Sequence, residues 1–587
     1  MEARTGPADD SRDGRNLLPA SNGPRVAYLS MEIALAPDIP TYSGGLGVLA
    51  GDTLRSCADL GVSVVGVSLV HRKGYFRQEI DPDGSQVEQP AAWEPEASLE
   101  LQEPLVEVEI EGRTVAVRAW CYRIHGDRGF EVPVFLLDTD LPANDEPDRH
   151  LTDHLYGGDN AYRLSQEVVL GLGGLRMLRA LGYDPLDRLH LNEGHAALAI
   201  PGLVQEARRA DPKLTVRAAI ERVRGLCVFT THTPVPAGHD RFPRQLAEKI
   251  LGPTTSENLD GLMRREELNM TSVALEGSRF VNGVAMRHGE VSRGMFPGYP
   301  IRSITNGIHP STWAAPAFQS LFDERFPEWR SDPATLRGVI AVPPAQIAGA
   351  HARSKAQLLR AVREATGRRF SPDVLTLGFA RRATAYKRPM LLLRDLDRLE
   401  EIAARRGALQ IVFAGKAHPR DEEGQRLIRE IHQAAEKTST DVQIAFLPGY
   451  GMSLARVLVA GCDIWLNTPI PPMEASGTSG MKAALNGVPS LSVLDGWWVE
   501  GCVEDVTGWA IGHDGDGATL SPEDRDRLHA EELYEKLETT VIPRFYETPE
   551  RFNAIRQQAI SLNGSYFNTH RMVLQYLFEA YRETGSV

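Results

Sequence analysis

The chain has 587 residues, of which 42% are hydrophobic and 24% are charged. This length exceeds what one hydrophobic core organises, so two or three domains are expected, and the composition is that of a soluble globular protein. The 64 basic and 78 acidic residues give a formal net charge of −14. That balance argues against nucleic acid as a partner, because binding a polyanion requires a basic surface.

Five cysteines are scattered along the chain without a C-x-x-C pair. This usage favours free thiols in a reducing compartment, and therefore a cytoplasmic location, and it predicts no metal site. No apolar stretch reaches the roughly 18 residues that a membrane span needs, so no membrane partner is expected. Residues 1–24 lack the apolar core of a signal peptide and are predicted to form a disordered tail.

The first predicted unit is a strand, a helix and a second strand. An apolar run at 26–30, a glycine turn at 43–45, a helical pattern over 46–60 and a β-branched run at 61–67 follow one another. Short links between them indicate a βαβ unit, so the sheet should be parallel. Residues 84–138 alternate polar and apolar positions instead, which predicts a β-hairpin region inserted into the α/β frame.

Strand and helix patterns then alternate to about residue 325 and restart near 345. Further strands are expected at 226–230, 303–305, 374–380, 409–414, 442–447, 464–466 and 490–494. Residues 326–344 carry charge and proline and are predicted to be a linker. We therefore expect an N-terminal α/β domain over 25–325 and a C-terminal α/β domain over 345–563. Both should be doubly wound, with ligands bound in the cleft between them at the strand carboxyl ends.

Residues 474–482 read E-A-S-G-T-S-G-M-K and precede a helical stretch. Small residues allow backbone N–H groups to approach a ligand closely. A lysine near a helix start in a cleft can have a lowered pKa and bond covalently to a carbonyl compound. The residues alone are equally compatible with a surface lysine that follows a flexible turn.

Two other segments have the character of anion sites. Residues 380–388 read A-R-R-A-T-A-Y-K-R after a predicted strand, and cations at a strand's carboxyl end attract an anion, although a solvated basic helix start is the competing interpretation. Residues 42–47 read Y-S-G-G-L-G and open a helix, whose N–H groups and dipole favour an anion. The glycines at 171–174 lie inside a helical pattern and predict packing instead.

Together these segments resemble the α-glucan phosphorylases, the glycogen, starch and maltodextrin enzymes, in their short bacterial-type form. The family's cofactor segment reads E-A-S-G-T-x-x-M-K, and its lysine carries pyridoxal 5'-phosphate. Matching segments run in the family's order from about residue 26 to 501. The resemblance implies a glycosyltransferase-B (GT-B) fold of two Rossmann-like domains across a cleft, with residues 564–587 forming a helix that returns to the first domain.

By the same resemblance, Lys482 would hold the cofactor, Arg381 would touch its phosphate group, and Arg382 and Lys387 would bind inorganic phosphate. Catalytic roles are implied for Lys482, Arg382, Lys387, Glu474 and His232. Cofactor contacts are implied for Lys482, Arg381, Tyr450, Trp313, Thr478 and Gly45. Substrate contacts are implied for Gly45, Leu46, Asn306, His232, Tyr386, Glu474, Ser476, Gly477, Thr478, Glu193 and His195. The family's histidine in the basic segment is Thr384 here, so no role is assigned to that position.

The reaction implied is reversible phosphorolysis of the terminal glucose of an α-1,4-glucan by inorganic phosphate, giving α-D-glucose 1-phosphate with retention. The cofactor phosphate would be the acid/base partner, because a phosphate with a second pKa near 6 both donates and accepts protons at pH 7. Members of the family usually pair, so a homodimer is expected. Trp497 and Trp498 would either stack on glucan rings or pack in the core.

Three alternatives remain at this stage. A retaining nucleotide-sugar glycosyltransferase of the same fold has a glutamate where this chain has Lys482. An amino-acid pyridoxal enzyme has no use for the sugar-binding segment at Glu474. A non-catalytic glucan-binding protein would not need Lys482, Arg382 and Lys387 together.

Overall fold

The fold is described from a computed structural model over residues 25–235, 238–259, 261–263, 266–513 and 520–582. The tail predicted for residues 1–24 lies outside these ranges. No helix within them is both long and apolar enough to cross a membrane.

The strands of the described residues are numbered along the chain. They are β1 (Val26–Ser30), β2 (Val64–Leu69), β3 (Arg77–Ile80), β4 (Gln86–Gln89), β5 (Glu100–Leu101), β6 (Val106–Ile110), β7 (Arg113–His125), β8 (Glu131–Asp138), β9 (Arg188–Asn192), β10 (Cys227–Thr230), β11 (Arg241–Pro243), β12 (Glu267–Asn269), β13 (Phe280–Gly283), β14 (Ile301–Ser303), β15 (Leu375–Ala380), β16 (Leu409–Ala414), β17 (Val442–Leu447), β18 (Ile464–Asn467), β19 (Ser490–Val493) and β20 (Gly508–Ile511).

Helices connect and cover these strands. The α-helices are Gly45–Leu60, Glu146–Arg149, Asn160–Val168, Gly174–Ala180, Ala199–Ala210, Val216–Arg224, Arg244–Asn258, Met270–Gly277, Met286–Met295, Pro310–Trp313, Pro316–Arg325, Pro344–Thr366, Leu396–Arg406, Glu422–Lys437, Met452–Gly461, Thr478–Leu485, Trp498–Gly501, Pro522–Lys536, Ile542–Tyr546, Pro549–Gln558 and Thr569–Tyr576. Short 3-10 helices occur at Pro95–Ala97, Gly194–Ala196, Pro333–Ala341 and Ala385–Lys387, and π-helical turns at Val169–Gly173, Leu537–Val541, Ala559–Gly564 and Leu577–Tyr581.

Two large sheets carry the site. The first runs in the order β14-β13-β10-β9-β1-β2-β8-β7-β5, and β6 pairs with β7. The second runs β17-β16-β15-β18-β19-β20, and all its pairs are parallel. In each sheet the order reverses beside the strand that begins it, β1 or β15. Such a reversal opens a crevice beyond the strand carboxyl ends, where ligands bind in doubly wound sheets.

The strands predicted at 26–30, 409–414 and 442–447 are confirmed as β1, β16 and β17. The strand predicted at 303–305 is β14 and lies at Ile301–Ser303, and β9, β13 and β20 were not predicted. The predicted strand at 61–67 begins only at Val64, because Gly61 adopts φ 67° and ends the preceding helix with a bond from its N–H to the Ala58 carbonyl. The region predicted as a hairpin over 84–138 has more strands than a hairpin. Strand β7 pairs antiparallel with both β6 and β8, and β8 is the parallel neighbour of β2, so the region extends the first sheet.

Residues 326–344 are packed rather than extended. Pro333–Ala341 forms a 3-10 helix, and the side chains of Trp329 and Leu336 are fully buried. The glycines at 171–174 lie within a continuous helical segment, as predicted. A Cβ at Gly171 would lie 2.8 Å from the Ala199 nitrogen, so this glycine permits close helix packing.

The last helix, Thr569–Tyr576, lies on the first sheet and its helix Gly45–Leu60. The Thr569 hydroxyl is 2.6 Å from the Ser56 hydroxyl. Asn282 Nδ2 donates to the Tyr576 hydroxyl at 2.9 Å, and the Thr230 hydroxyl is 3.0 Å from the same oxygen. The chain end is therefore tied to strands β10 and β13 by buried polar contacts.

A buried ionic cluster lies at the amino ends of strands β15 and β18, opposite the carboxyl ends of the strands where the candidate site lies. Asp463, which is 1% exposed, accepts from Lys355 Nζ at 2.6 Å and from the Thr376 N–H at 2.9 Å. Its other oxygen meets His351 and Arg556. Burial alone would favour the neutral acid, but Lys355 and the other partners hold the Asp463 pKa far below its ordinary value. The cluster joins two helices to strands β15 and β18.

Asp463→Asn should therefore destabilise the protein by roughly 3–5 kcal/mol, because Lys355 and Arg556 would remain buried without a counter-charge. Thermal unfolding followed by circular dichroism measures the loss as a lower midpoint. Asp505→Asn is the matched control: Asp505 pairs with Arg544 and Arg551 near the surface, where an ion pair is worth about 0–1 kcal/mol. Equal midpoints for the two variants would contradict the prediction.

Candidate active site

Three ionic side chains meet beyond the carboxyl ends of β15 and β18. Glu474 Oε2 accepts from Arg381 Nη1 and from Lys387 Nζ, each at 2.6 Å. Glu474 is 6% exposed and Lys387 is 7% exposed. Burial opposes ionisation of the Glu474 carboxyl, but Arg381 and Lys387 outweigh it, so its pKa lies below the ordinary value. Glu474 is thus a carboxylate, and its Oε1 has no partner among the described residues.

The backbone of this segment is held by Asp495, which the sequence analysis did not single out. Asp495 Oδ2 accepts from the Glu474 N–H at 2.8 Å, and Oδ1 accepts from the Gly496 N–H at 2.9 Å. Burial raises the pKa of Asp495 to about 7, and the charge of Glu474 adds to the rise while these N–H donors oppose it. An acidic residue directly after the predicted strand at 490–494 was the feature that could have identified it.

Lys482 lies on the helix Thr478–Leu485, with its side chain buried. Its Nζ is 3.8 Å from the ring centroid of Trp313, and it forms no hydrogen bond or ion pair within the described ranges. Burial lowers the Lys482 pKa to about 8; Asp52 opposes this, and Arg381 and Arg456 add to it. About one tenth of the amine is then unprotonated at pH 7, which is the form that attacks a carbonyl compound.

Two further residues fix the Lys482–Trp313 pair. Asn486 Nδ2 donates to the Trp313 carbonyl and to the Lys482 carbonyl, each at 2.8 Å. Trp313 Nε1 donates to Asp52 Oδ2 at 2.7 Å. Asp52 comes from the first sheet's helix Gly45–Leu60, so this pair is held from both sheets. Asp52 was detectable only as a buried acid on a largely apolar helix.

Arg382 and the glycine turn at 43–45 face each other. The Arg382 side chain is exposed and has no hydrogen-bond or ion-pair partner in the described part of the chain. A Cβ at Gly44 would lie 3.3 Å from Arg382 Nη2, whereas Gly45 has open space before it. No side chain caps the helix that Gly45 begins. A free guanidinium and uncapped helix N–H groups therefore border one opening, which suits an anion.

Glu32 holds this turn in place. Its Oε2 accepts from the N–H groups of Ser43 at 2.6 Å and Gly44 at 3.2 Å, and its Oε1 accepts from the Tyr156 hydroxyl at 2.8 Å. A Cβ at Gly47 would come within 2.8 Å of Glu32 Oε2, so glycine is required there. Glu32 was not predicted as a site residue, although an acid directly after the first strand was visible.

His232 and Glu193 form a support at the ends of β9 and β10. His232 Nε2 donates to Asn192 Oδ1 at 2.6 Å, and the His232 N–H donates to Glu193 Oε2 at 2.7 Å. Burial lowers the His232 pKa to about 3, so its ring is neutral and does not supply a proton at pH 7. Burial raises the Glu193 pKa to about 7, against the His232 N–H and other donors.

His195, another predicted substrate contact, has different neighbours from His232. Its Nε2 is 3.4 Å from Asp240 Oδ2, and its ring is 6.1 Å from that of Tyr156, the residue that contacts Glu32. Burial lowers the His195 pKa to about 3, and Arg163 contributes to the same effect. The structure thus places this predicted substrate contact beside Asp240 and Tyr156.

Two buried polar atoms of the predicted sugar site are unpaired among the described residues: Asn306 Oδ1 and Ser476 Oγ. Unpaired buried polar atoms cost free energy, so these two are suited to receive ligand hydroxyls. Gly477, at φ 88°, turns the chain between Ser476 and the helix that begins at Thr478.

The aromatic candidates divide into cleft and core residues. Tyr386 is half-buried, with Lys387 Nζ 4.5 Å from its ring centroid. Burial raises the Tyr450 pKa to about 12, so its hydroxyl is uncharged at pH 7. Trp497 and Trp498 are 2% and 0% exposed, and the Trp497 ring packs against Phe567. The core interpretation of this tryptophan pair is therefore correct, because neither ring has a face free for a glucan.

These side chains fit pyridoxal phosphate. An unpaired buried amine suits its aldehyde, and the positive charges of Arg381 and Arg456, which depress the Lys482 pKa, would attract its anionic phosphate. Asp52, Asn486 and Trp313 keep the amine in place without neutralising it.

Comparison with known proteins gives an independent view of the chain. A family model described as carbohydrate phosphorylase matches residues 33–135 and 256–508. The maltodextrin phosphorylase of Thermococcus litoralis is 38% identical over 596 residues, covering 95% of this chain and 70% of that protein. The glycogen phosphorylase of Mycobacterium tuberculosis is 38% identical over 621 residues with the same coverage. An uncharacterized protein of Methanocaldococcus jannaschii is 32% identical and is covered over 99% of its length.

The lowered Lys482 pKa predicts how this amine reacts. In protein freed of bound carbonyl compounds, borohydride trapping of a small aldehyde at Lys482 should rise with pH around a midpoint of about 8. Asp52→Asn should lower the midpoint, because the Asp52 charge favours the protonated amine. Peptide mass spectrometry measures the modified fraction. A midpoint near 10.4, the ordinary lysine value, or one unmoved in Asp52→Asn, would contradict this assignment.

Proposed function

The chain belongs to the carbohydrate phosphorylase family, and we propose that it catalyses reversible phosphorolysis of an α-1,4-glucan. Inorganic phosphate would release the terminal glucose as α-D-glucose 1-phosphate, and maltodextrin or glycogen would be the glucan. The observation that carries the proposal is the combination of an unpaired buried amine at Lys482 with a free guanidinium at Arg382 that faces an uncapped helix start. The names of the relatives, maltodextrin and glycogen phosphorylase, support the choice of substrate.

We further propose that the two sheets belong to two domains of GT-B type, over 25–325 and 345–563. The contacts in the site support this division, since each half of the site comes from a different sheet. Gly44 and Asp52 precede or lie on the first sheet's helix, while Arg382 and Lys482 follow strands of the second. The last helix, within 564–587, would couple the two by returning to the first sheet.

Pyridoxal 5'-phosphate is the cofactor that we assign to Lys482, with Arg381, Tyr450, Trp313, Thr478 and Gly45 around it. When bound, it supplies a second phosphate group that exchanges a proton with the substrate phosphate. The chain's contribution is electrostatic: Arg381 and Arg456 offset the repulsion between two anionic groups in a cleft of an otherwise acidic protein. Asn486 holds the Lys482 backbone, and Asp52 holds the Trp313 ring over which the Lys482 amine lies.

The substrate phosphate would be held by Arg382 and by the helix N–H groups at Gly45 and Leu46, with Lys387 nearby. A phosphate has a second pKa near 6, so it can give a proton to the glycosidic oxygen as the bond to the anomeric carbon breaks. The same phosphate would then bond to the anomeric carbon from the face that the glucan left, which gives retention. The glucan leaves with the proton that the phosphate donated.

The glucosyl ring would be oriented by Asn306, Ser476, Gly477, the His232 backbone and Glu474. Glu474 is held ionised by Arg381 and Lys387, so it accepts hydrogen bonds from sugar hydroxyls through its free Oε1 and is not a proton donor. Its negative charge also stabilises the positive charge that develops on the ring in an oxocarbenium-like transition state. Tyr386 and Tyr450, which are both half-buried, restrict the entry of water.

Two alternatives are disfavoured by particular groups. A nucleotide-sugar glycosyltransferase does not need an amine of lowered pKa on the helix Thr478–Leu485, and a non-catalytic glucan-binding protein does not need it together with an unpaired Arg382. Five free cysteines support a cytoplasmic location. Pairing into a homodimer rests on the family resemblance alone.

The first test is release of glucose 1-phosphate from a mixed maltodextrin by protein supplied with pyridoxal phosphate. Release should require inorganic phosphate, and Lys482→Ala should abolish both the release and the bound chromophore, because it removes the amine that would bond to the cofactor. Lys482→Arg is the control, since it keeps the charge but cannot form the covalent bond. Phosphate-independent sugar release, or an active Lys482→Ala protein, would refute the assignment.

Arg382→Ala should raise the KM for phosphate by roughly 10- to 100-fold, the range expected when a charge-assisted hydrogen bond is removed. The KM for the glucan should change little, because Arg382 faces the helix start and not the sugar groups. Arg420→Ala is the matched control: Arg420 contacts the Gly158 carbonyl across the same cleft. A phosphate KM that moves equally in both variants would remove Arg382 from the phosphate site.

A further inference from the structure

The hairpin β3–β4, which leaves the first sheet after β2, contacts the second sheet through two glutamines. Gln78 and Gln86 are 3% and 8% exposed. Gln78 Nε2 donates to the Gly415 carbonyl at 2.8 Å, and its Oε1 accepts from the Gly449 N–H at 3.0 Å. Both groups belong to loops at the carboxyl ends of β16 and β17.

Gln86 binds the same loop two residues later. Its Oε1 accepts from the Ala417 N–H at 3.0 Å and its Nε2 donates to the Ala417 carbonyl at 3.0 Å. Gln78 Nε2 also donates to Gln86 Oε1 at 2.9 Å. The two amides thus hold both edges of the loop at 415–417, and Lys416 Nζ adds a bond to the Phe76 carbonyl at 2.9 Å.

This loop in turn determines the path of the basic segment that follows β15. The Lys416 carbonyl accepts from the Ala383 N–H at 3.0 Å, and the Ala414 carbonyl accepts from the Arg381 N–H at 3.1 Å. Gly415 lies against the Arg381 carbonyl so closely that a Cβ would be 1.9 Å from it, and its φ of 154° also favours glycine. A shift of the loop therefore shifts residues 381–383.

Arg382 depends on this path more than its neighbours do. Arg381 is also held by Glu474 and Asn467, whereas the side chain of Arg382 has no partner in the described ranges and faces the turn at Gly44. Its position is therefore set by the backbone on either side of it, and that backbone is hydrogen-bonded to the loop that the two glutamines hold.

We propose that Gln78 and Gln86 are positioning residues for phosphate: through the loop at 415–417 they place the Arg382 guanidinium opposite the glycine turn of the other sheet. The proposal rests on the function assigned above. It predicts that the first sheet affects phosphate affinity in two ways. The helix that begins at Gly45 acts directly, and the hairpin β3–β4 acts indirectly through the loop at 415–417. Neither glutamine touches a substrate group in this arrangement.

The variants Gln78→Met and Gln86→Met test this, because methionine keeps the side-chain length while it removes both amide groups. The dissociation constant of inorganic phosphate, measured by calorimetry on the protein loaded with pyridoxal phosphate, should rise roughly five- to tenfold, the loss expected for one or two net hydrogen bonds. The KM for phosphate should rise by a similar factor. The KM for maltodextrin and the cofactor absorption spectrum should not change.

Gln425→Ala is the matched control. Gln425 Nε2 donates to Glu88 Oε1 on the same hairpin and to the Pro419 carbonyl, but among the described residues it forms no hydrogen bond with the loop at 415–417. Phosphate binding unchanged in the methionine variants, or equally weakened in Gln425→Ala, would overturn the proposal. Parallel losses in phosphate and maltodextrin KM, or a lost cofactor spectrum, would also overturn it, because they indicate general disruption.

The calorimetric measurement separates this proposal from the function on which it rests. If the wild-type protein released no glucose 1-phosphate but bound inorganic phosphate more tightly than the methionine variants, the reaction would be wrong and the positioning role would stand. If the wild type were active and its phosphate affinity equalled that of the variants, the reaction would stand and the positioning role would be wrong.

Discussion

The bond of one carboxylate oxygen to two cations is the interaction on which the site depends. Glu474 Oε2 joins Arg381, which follows β15, to Lys387 in the next turn, while Glu474 itself follows β18. These two strands are neighbours where the order of the second sheet reverses. Without the carboxylate, Lys387 would be a buried cation with no partner, which is costly. With it, the crevice contains an ionised acid and a second, free oxygen that is available to a ligand.

Two functional groups of the second sheet, Lys482 and Arg382, are supported by groups from the first. Lys482 rests on Trp313, whose indole is held by Asp52. Arg382 faces the turn that Glu32 holds, and the loop beside it is held by Gln78 and Gln86. Such cross-sheet support keeps the groups preorganised, which is what electrostatic catalysis requires. It also means that neither sheet would form this arrangement alone.

The ionic cluster around Asp463 and the candidate site differ in how their charged groups are paired. At the amino ends of β15 and β18, Asp463 is surrounded by Lys355, His351 and Arg556, and its charge is fully compensated. On the cleft side, Lys482, Arg382, Asn306 Oδ1 and Ser476 Oγ lack partners in the described part of the chain. Unpaired groups reduce stability, and anions and hydroxyls bound in the cleft would offset that loss.

Much of the fold followed from local pattern. Apolar runs located β1, β16 and β17 to the residue, and the motif at 474–482 pointed to Lys482 and Glu474, because these features depend on neighbours in sequence. Asp52, Glu32, Asp495 and the two glutamines were not predicted as site residues. Each is a single polar residue whose role comes from a contact with a residue between 11 and more than 300 positions away. Only tertiary structure decided those roles, because a hydrogen bond depends on distance in space, and sequence pattern records distance along the chain.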